Sequence, residues 1–203
     1  RKNRISYRLV KLDKEERVID LNKPQLLKGF NEVTKGNGYY KARLSTAASP
    51  KELMAGNYML RSISKAKNTD HVIYTMESFE QYPDLHYATL DFKKSIRLTH
   101  GIDQQKDYLW GTAELVSWIS LDGRKLEGVV YKPADFDPAK KYPMIVSFYE
   151  RNSETLFNYR MPEPHRSTID YHLYNSNGYI VFNPDIRYVD GYPGESCYNC
   201  CLL

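Results

Sequence analysis

The chain has 203 residues, 41% of them apolar and 27% charged, with a formal net charge of +4; this length fits one large domain or two small ones, and no apolar run approaches the roughly 18 residues of a membrane-spanning helix. Gly (11) and Pro (10) stand near average usage, which excludes collagen-like and low-complexity chains. Residues 1–70 carry 16 Lys/Arg against 7 Asp/Glu and the remainder 13 against 18, but acids interrupt the basic positions throughout, so neither a nucleic-acid patch nor a polybasic membrane segment is expected.

Eighteen tyrosines favour β structure, because amphipathic rings suit half-buried strands. The opening alternates Ile5, Tyr7 and Leu9 with polar residues, and after the turn-like Asp13–Glu16 come Val18, Ile19 and Leu21, which predicts a hairpin. Turn signals at Lys35-Gly36-Asn37-Gly38, Ser49-Pro50 and Ala55-Gly56-Asn57 separate runs at 39–44 and 57–63. Further strands are predicted at 71–76, 85–90 and 95–98, at spacings near the 8 to 12 residues typical of all-β arrays. No strict repeat of about 40 to 50 residues is visible, so strand density allows a propeller without periodicity showing one.

After about residue 104 the character changes. Strands at 113–119 and 126–131 flank Asp122-Gly123, the strongest short hairpin signal in the chain. The run Pro143–Tyr149 is continuously apolar, as in strands buried on both faces, and a second run covers Tyr179–Asn183. The segment between them exceeds the dozen or so residues of a parallel crossover. It carries a predicted helix with Ser167 as N-cap, Asp170 reaching back to it, Ile169 and Leu173 facing the sheet, and Gly178 ending it. A βαβ unit makes this half α/β and the first half all-β.

Taken in order, Glu77–Leu85, Trp110–Trp118, Ser120–Gly128, Lys132-Pro133, Lys141–Pro143, Asn177–Val181, Pro184–Arg187 and Gly191–Glu195 resemble the prolyl oligopeptidase family of serine peptidases, in particular its bacterial dipeptidyl-peptidase-like members. The resemblance implies that residues 1–103 are the last strands of a β-propeller and 104–203 the first strands and first helix of an α/β-hydrolase domain. It also implies acyl transfer by a Ser-His-Asp triad on peptide substrates. The G-x-S-x-G of the nucleophile elbow is absent from the 203 residues, and in α/β-hydrolases the triad follows the fourth strand in the order Ser, Asp, His. The chain is therefore expected to be an internal piece of an exopeptidase, inactive by itself, whose peptide substrate binds in the full-length parent.

The resemblance implies one catalytic group within the chain: Tyr149, at the end of the third hydrolase strand, as hydroxyl donor to the oxyanion. The stretch holding Arg187, Gly191 and Gly194 is implied at the active-site rim, where it also reads as a tight loop in which the two glycines supply backbone geometry that a side chain would block. Asp185 would end the fourth strand at the ligand-binding edge of the sheet, although chain order argues against it as triad acid. His71, His86, His100, His165 and His172 default to surface or helix-face roles.

Cys197, Cys200 and Cys201 cluster near the end of the chain. The C-x-x-C has no second pair to complete a zinc tetrahedron, and Cys-Cys-Leu-Leu fits only a loose prenylation pattern, so no metal, lipid or cofactor is expected. In the usual hydrolase order the third strand lies between the fourth and fifth, which leaves Met144–Phe148 with an open edge and makes the isolated chain aggregation-prone or partly folded. Homo-oligomerisation stays open, and the resemblance favours a periplasmic or other extracytoplasmic location. Two alternatives remain: a non-catalytic peptide- or carbohydrate-binding module, and an esterase on the same fold.

Overall fold

The computed structural model describes residues 4–13, 15–164 and 168–201. The chain divides into two compact units, Arg1–Asp103 and Gln104–Leu203. Among the described residues no helix is long and apolar enough to cross a membrane.

The first unit is two antiparallel four-stranded meanders. β1 (Ile5–Leu9), β2 (Pro24–Asn31), β3 (Asn37–Arg43) and β4 (Lys51–Gly56) form one sheet; β5 (Met59–Lys65), β6 (His71–Glu77), β7 (Asp84–Thr89) and β8 (Ser95–Arg97) form the other. Leu26 and Tyr39 from the first sheet pack with Leu60, Val72, Tyr74, Ala88 and Phe92 of the second. Tyr39 stacks on Phe92 at 4.8 Å and meets Tyr74 edge-on at 6.0 Å, and such aromatic pairs contribute about 0.5–1.5 kcal/mol each beyond area burial. Of the tyrosines of this unit, Tyr39, Tyr40 and Tyr74 are buried. Asp84, fully buried, closes the unit by accepting from Thr99 Oγ1 and the Gly101 N–H, both at 2.8 Å.

The predicted first hairpin forms with a different partner. β1 pairs with residues 27–31 of β2, while Val18, Ile19 and Leu21 are 77%, 42% and 51% exposed. An eight-residue strand that buries Leu26 and Leu27 outcompetes a short run with nothing to bury against. β2 is hard to see in sequence because its two buried leucines are adjacent and Gly29 interrupts it, its Cα packed so tightly that a Cβ would lie 2.4 Å from the Tyr40 ring.

In the second unit a short helix α1 (Ile102–Gln105) spans the division and leads to the hairpin β9 (Thr112–Ile119) and β10 (Lys125–Lys132). Gly123 takes φ +78° in the turn, as the Asp-Gly signal demands. β11 (Met144–Val146) and β12 (Ile180–Pro184) complete a mixed sheet in the order β11-β12-β10-β9, with β11 and β12 parallel and β12 antiparallel to β10. The predicted parallel crossover is present. It contains a 3₁₀ turn (Asn152–Thr155) and the helix α2 (Tyr171–Ser176), and Gly178 ends the helix at φ +79°.

Two details of the crossover differ from expectation. The N-cap of α2 is Asp170, whose Oδ1 accepts the N–H groups of His172 (3.0 Å) and Leu173 (3.2 Å); Ser167 lies outside the described residues. Because the helix starts at Tyr171, its inward face is Tyr171, Tyr174 and Asn175, and Leu173 is 57% exposed. Asn175 Nδ2 donates to the carbonyls of Tyr131 (3.0 Å) and Tyr179 (2.9 Å), and Tyr171 lies 4.7 Å from Tyr131 ring to ring. Beneath them Val129, Tyr131, Val181 and Asn183 are buried.

β11 is not buried on both faces. It occupies a sheet edge, and Met144, Val146 and Phe148 are 52%, 44% and 46% exposed, because no described element covers the face on which they alternate. The last helix, α3 (Pro193–Cys201), was not anticipated, although Pro at the first helical position and Glu195 in the first turn are start signals.

Candidate functional site

The C-terminal ends of the parallel pair β11 and β12 bring the sequence-predicted residues of the second unit together. Beyond the ladder, the Ser147 N–H donates to the Phe182 carbonyl at 2.9 Å and the Ile186 N–H to the Glu150 carbonyl at 2.8 Å. Tyr149 sits between these two bonds with its side chain 79% exposed.

Asp185 follows β12 directly. Its backbone N–H donates to the Glu127 carbonyl of β10 at 2.9 Å, and its carboxylate turns to the segment after Tyr149. Oδ1 accepts the Ser153 N–H at 2.7 Å and Oδ2 accepts the Ser153 hydroxyl at 2.6 Å. Asn152 Nδ2 donates to the Pro184 carbonyl at 2.9 Å alongside. Neither Ser153 nor Asn152 carries a signal in sequence, since their relation to residue 185 exists only once the two strands are parallel neighbours.

The segment from Arg187 onward turns into α3. The Arg187 N–H donates to the Cys200 sulfur at 3.4 Å, while the Arg187 side chain is exposed. Ser196 is buried and orders the loop: its hydroxyl accepts the Val189 N–H at 3.0 Å and donates to the Tyr192 carbonyl at 2.7 Å. Gly191 has φ +85°, the left-handed geometry that favours glycine. Gly194 does not share that requirement. It lies in the first turn of α3, and a Cβ there would meet nothing within 4 Å.

α3 is tied back to the β9–β10 hairpin. Trp118 Nε1 donates to the Cys200 carbonyl at 3.1 Å, the Leu121 N–H to the Asn199 carbonyl at 3.1 Å, and Leu126, Ile186 and Cys200 form a small core. Tyr188, Tyr192 and Tyr198 are 43%, 62% and 60% exposed around this end of the sheet. The Tyr188 phenol is raised above its ordinary pKa, first by desolvation and then by Cys197, Cys201, Tyr149 and Glu150. The C-x-x-C spacing does not survive as a pair: the helix brings Cys197 to Cys201, with sulfurs 3.9 Å apart. Desolvation, followed by Cys197, pushes the Cys201 thiol up to about 12. All three cysteines are free, and among the described residues no group of three or more His, Cys, Asp or Glu could hold a metal ion.

The described histidines are engaged within their own units. His71 packs on Tyr87 at 5.3 Å and His100 Nδ1 lies 2.9 Å from the Arg97 guanidinium. His86 is buried rather than superficial, stacked on Tyr74 in β7, because its position shares the inward face with Asp84 and Ala88. His172 packs on Trp110 and meets the Arg160 carbonyl; His165 lies outside the described residues.

No family model and no curated protein matches the chain. Solved structures do. Dipeptidyl peptidase 4 of Porphyromonas gingivalis is similar at 19% identity with a TM-score of 0.64, over 89% of this chain and 25% of its own. An acylaminoacyl peptidase of Pyrococcus horikoshii is similar at 19% identity, TM-score 0.54, over 86% of this chain and 25% of its own. A prolyl endopeptidase is similar at 16% identity, TM-score 0.55, over 86% and 24%. The chain spans about a quarter of the length of each of these peptidases. The likeness is one of fold: two four-stranded antiparallel meanders of the kind that form propeller blades, followed by a unit with a mixed sheet and a parallel crossover.

Proposed function

We propose that these residues are the propeller end and the hydrolase-domain start of a serine-type exopeptidase, which cleaves peptide bonds through an acyl-enzyme. The observation that carries this reading is the exposed Tyr149 on a backbone pinned at the C-terminal end of a parallel strand, the edge at which open α/β sheets bind ligands. In the proposed reaction a serine oxygen bonds to the scissile carbonyl carbon, its proton passes to a histidine, and the carbonyl electron pair moves onto oxygen. The Tyr149 hydroxyl donates a hydrogen bond to that oxyanion. Arg187 and Gly191, on the segment that follows the neighbouring strand, border the same edge, and Gly194 lies in the first turn of the helix that follows. The triad serine, aspartate and histidine are supplied by sequence outside these 203 residues, in keeping with the absence of G-x-S-x-G.

A fluorophosphonate probe tests the reading in two arms. The 203-residue chain stays unlabelled, and covalent labelling of it would overturn the placement of the nucleophile. The longer protein labels, and Tyr149→Phe slows labelling and peptide turnover about 10²- to 10³-fold, the usual effect of losing one oxyanion donor. Unchanged rates in Tyr149→Phe would remove Tyr149 from the chemistry. Turnover of p-nitroanilides against p-nitrophenyl esters separates a peptidase from an esterase on the same fold.

A further inference from the structure

A hydroxyl that stabilises a developing charge must be placed before the charge appears, because its contribution falls steeply with misplacement. Tyr149 is 79% exposed, so surrounding side chains do not hold it by burial. Its position is set through the backbone. The bond from Ser147 to Phe182 precedes it, the bond from Ile186 to Glu150 follows it, and both partners belong to the β12 strand or its immediate continuation.

The second bond is secured by the groups around Asp185. Ser153 presents its N–H and its hydroxyl together, and Asp185 meets each with a separate oxygen at 2.7 and 2.6 Å. A carboxylate is the side chain that offers two full acceptors in this spacing, and charge-assisted bonds of this length are among the stronger ones. Asn152 adds its bond to the Pro184 carbonyl, and the Asp185 backbone is itself anchored on Glu127 of β10. Among the described residues no lysine, arginine or histidine forms an ion pair with Asp185, so its carboxylate is spent on Ser153.

We propose that Asp185 is the positioning residue of the Tyr149 site: by binding both donors of Ser153 it fixes the segment after β11 against β12 and so sets where the Tyr149 hydroxyl stands. This rests on the reading of Tyr149 as oxyanion donor. Asp185 does not touch substrate and acts through the 149–153 backbone.

The test is a cycle in the longer protein with an independent readout in the 203-residue chain. Asp185→Ala lowers kcat at least tenfold and up to about 100-fold, the range expected for a misplacement near 1 Å, while KM changes less than about threefold, since the ground state is bound elsewhere. Asp185→Asn keeps an acceptor for the Ser153 N–H and recovers most of the loss. The double variant Tyr149→Phe/Asp185→Ala is no slower than Tyr149→Phe alone, because Asp185 has nothing left to position. In the chain, Asp185→Ala speeds amide exchange at Ser153 and Ile186. Should Asp185→Ala fail to fold, Ser153→Ala and Asp185→Asn carry the kinetic comparison, each with a smaller fall in kcat. Full activity in Tyr149→Phe overturns the oxyanion reading. A slow Tyr149→Phe with an unaffected Asp185→Ala, or additive losses in the double variant, overturns the positioning role alone.

Discussion

His172 packs with its ring 4.0 Å from that of Trp110 and its Nε2 2.7 Å from the Arg160 carbonyl, an arrangement that requires a proton on Nε2. Burial lowers its pKa, against smaller opposing effects of that hydrogen bond and of Asp170. In the unfolded chain imidazole titrates near 6.5, so the unfolded state takes up the proton first as pH falls. The stability that His172 contributes is complete above about pH 6.5 and is lost as pH drops below it toward the folded value. Both tryptophans, Trp110 and Trp118, lie in the second unit, so indole fluorescence reports that unit without His86 of the first, which burial shifts in the same direction. The fluorescence melting temperature is expected to fall between pH 7 and 5, and His172→Gln, whose amide can still donate to Arg160, to flatten that slope. An unchanged slope would assign the loss to other groups. At this scale the sequence proposes Tyr149, Arg187, Gly191, Gly194 and Asp185 from residue type and place in the chain, but a partner 32 positions away, such as Ser153 for Asp185, has no local trace.

At the scale of the element, β11 shows how a correct pattern can have a different environment. The apolar run from Pro143 to Tyr149 marks a strand, and a strand forms, yet only three residues join the ladder and the alternating Met144, Val146 and Phe148 stay exposed. Continuous hydrophobicity reports what a strand is suited to lie against, not whether its neighbour is present. A parallel edge strand with an apolar face is an association site. The 203-residue chain is expected to self-associate at micromolar concentration, and Val146→Lys, which puts a charge on that face, to lower the mean mass in sedimentation velocity. A wild-type chain that sediments as a monomer and melts in one sharp transition would contradict this. β2 and α3 were missed for the opposite reason. Each is held by partners, β2 by ladders on both sides and α3 by Trp118, Leu126 and Ile186, rather than by a clean periodicity of its own.

For the whole molecule the controlling fact is that each unit has its own core: Leu60, Val72, Tyr74 and their neighbours in the first, Leu126, Ile186 and Cys200 in the second. Cores of this kind fold around local chain, and the connection between them is where a protease finds accessible backbone. Tyr108 and Leu109, just past the division in the segment between α1 and β9, are 71% and 81% exposed. Brief digestion with chymotrypsin is expected to cut there first and to leave two persistent fragments, separable by mass. Scattered early cleavage inside β5–β7 or β9–β10 would show that the units do not hold themselves together.

The amino-acid sequence by itself determined the change from all-β to α/β near residue 104, the Asp-Gly hairpin, the parallel crossover and the stop at Gly178. Each depends on backbone preference or on the period of apolar residues, which are local properties. Only the tertiary structure decided that β1 pairs with residues 27–31, that α2 turns Tyr171 and Asn175 inward, that Gly194 lies in the first turn of a helix, and that Asp185 meets Ser153. Those outcomes depend on which surfaces compete for the same burial and on which strand ends become neighbours, and neither is set until the sheet is assembled.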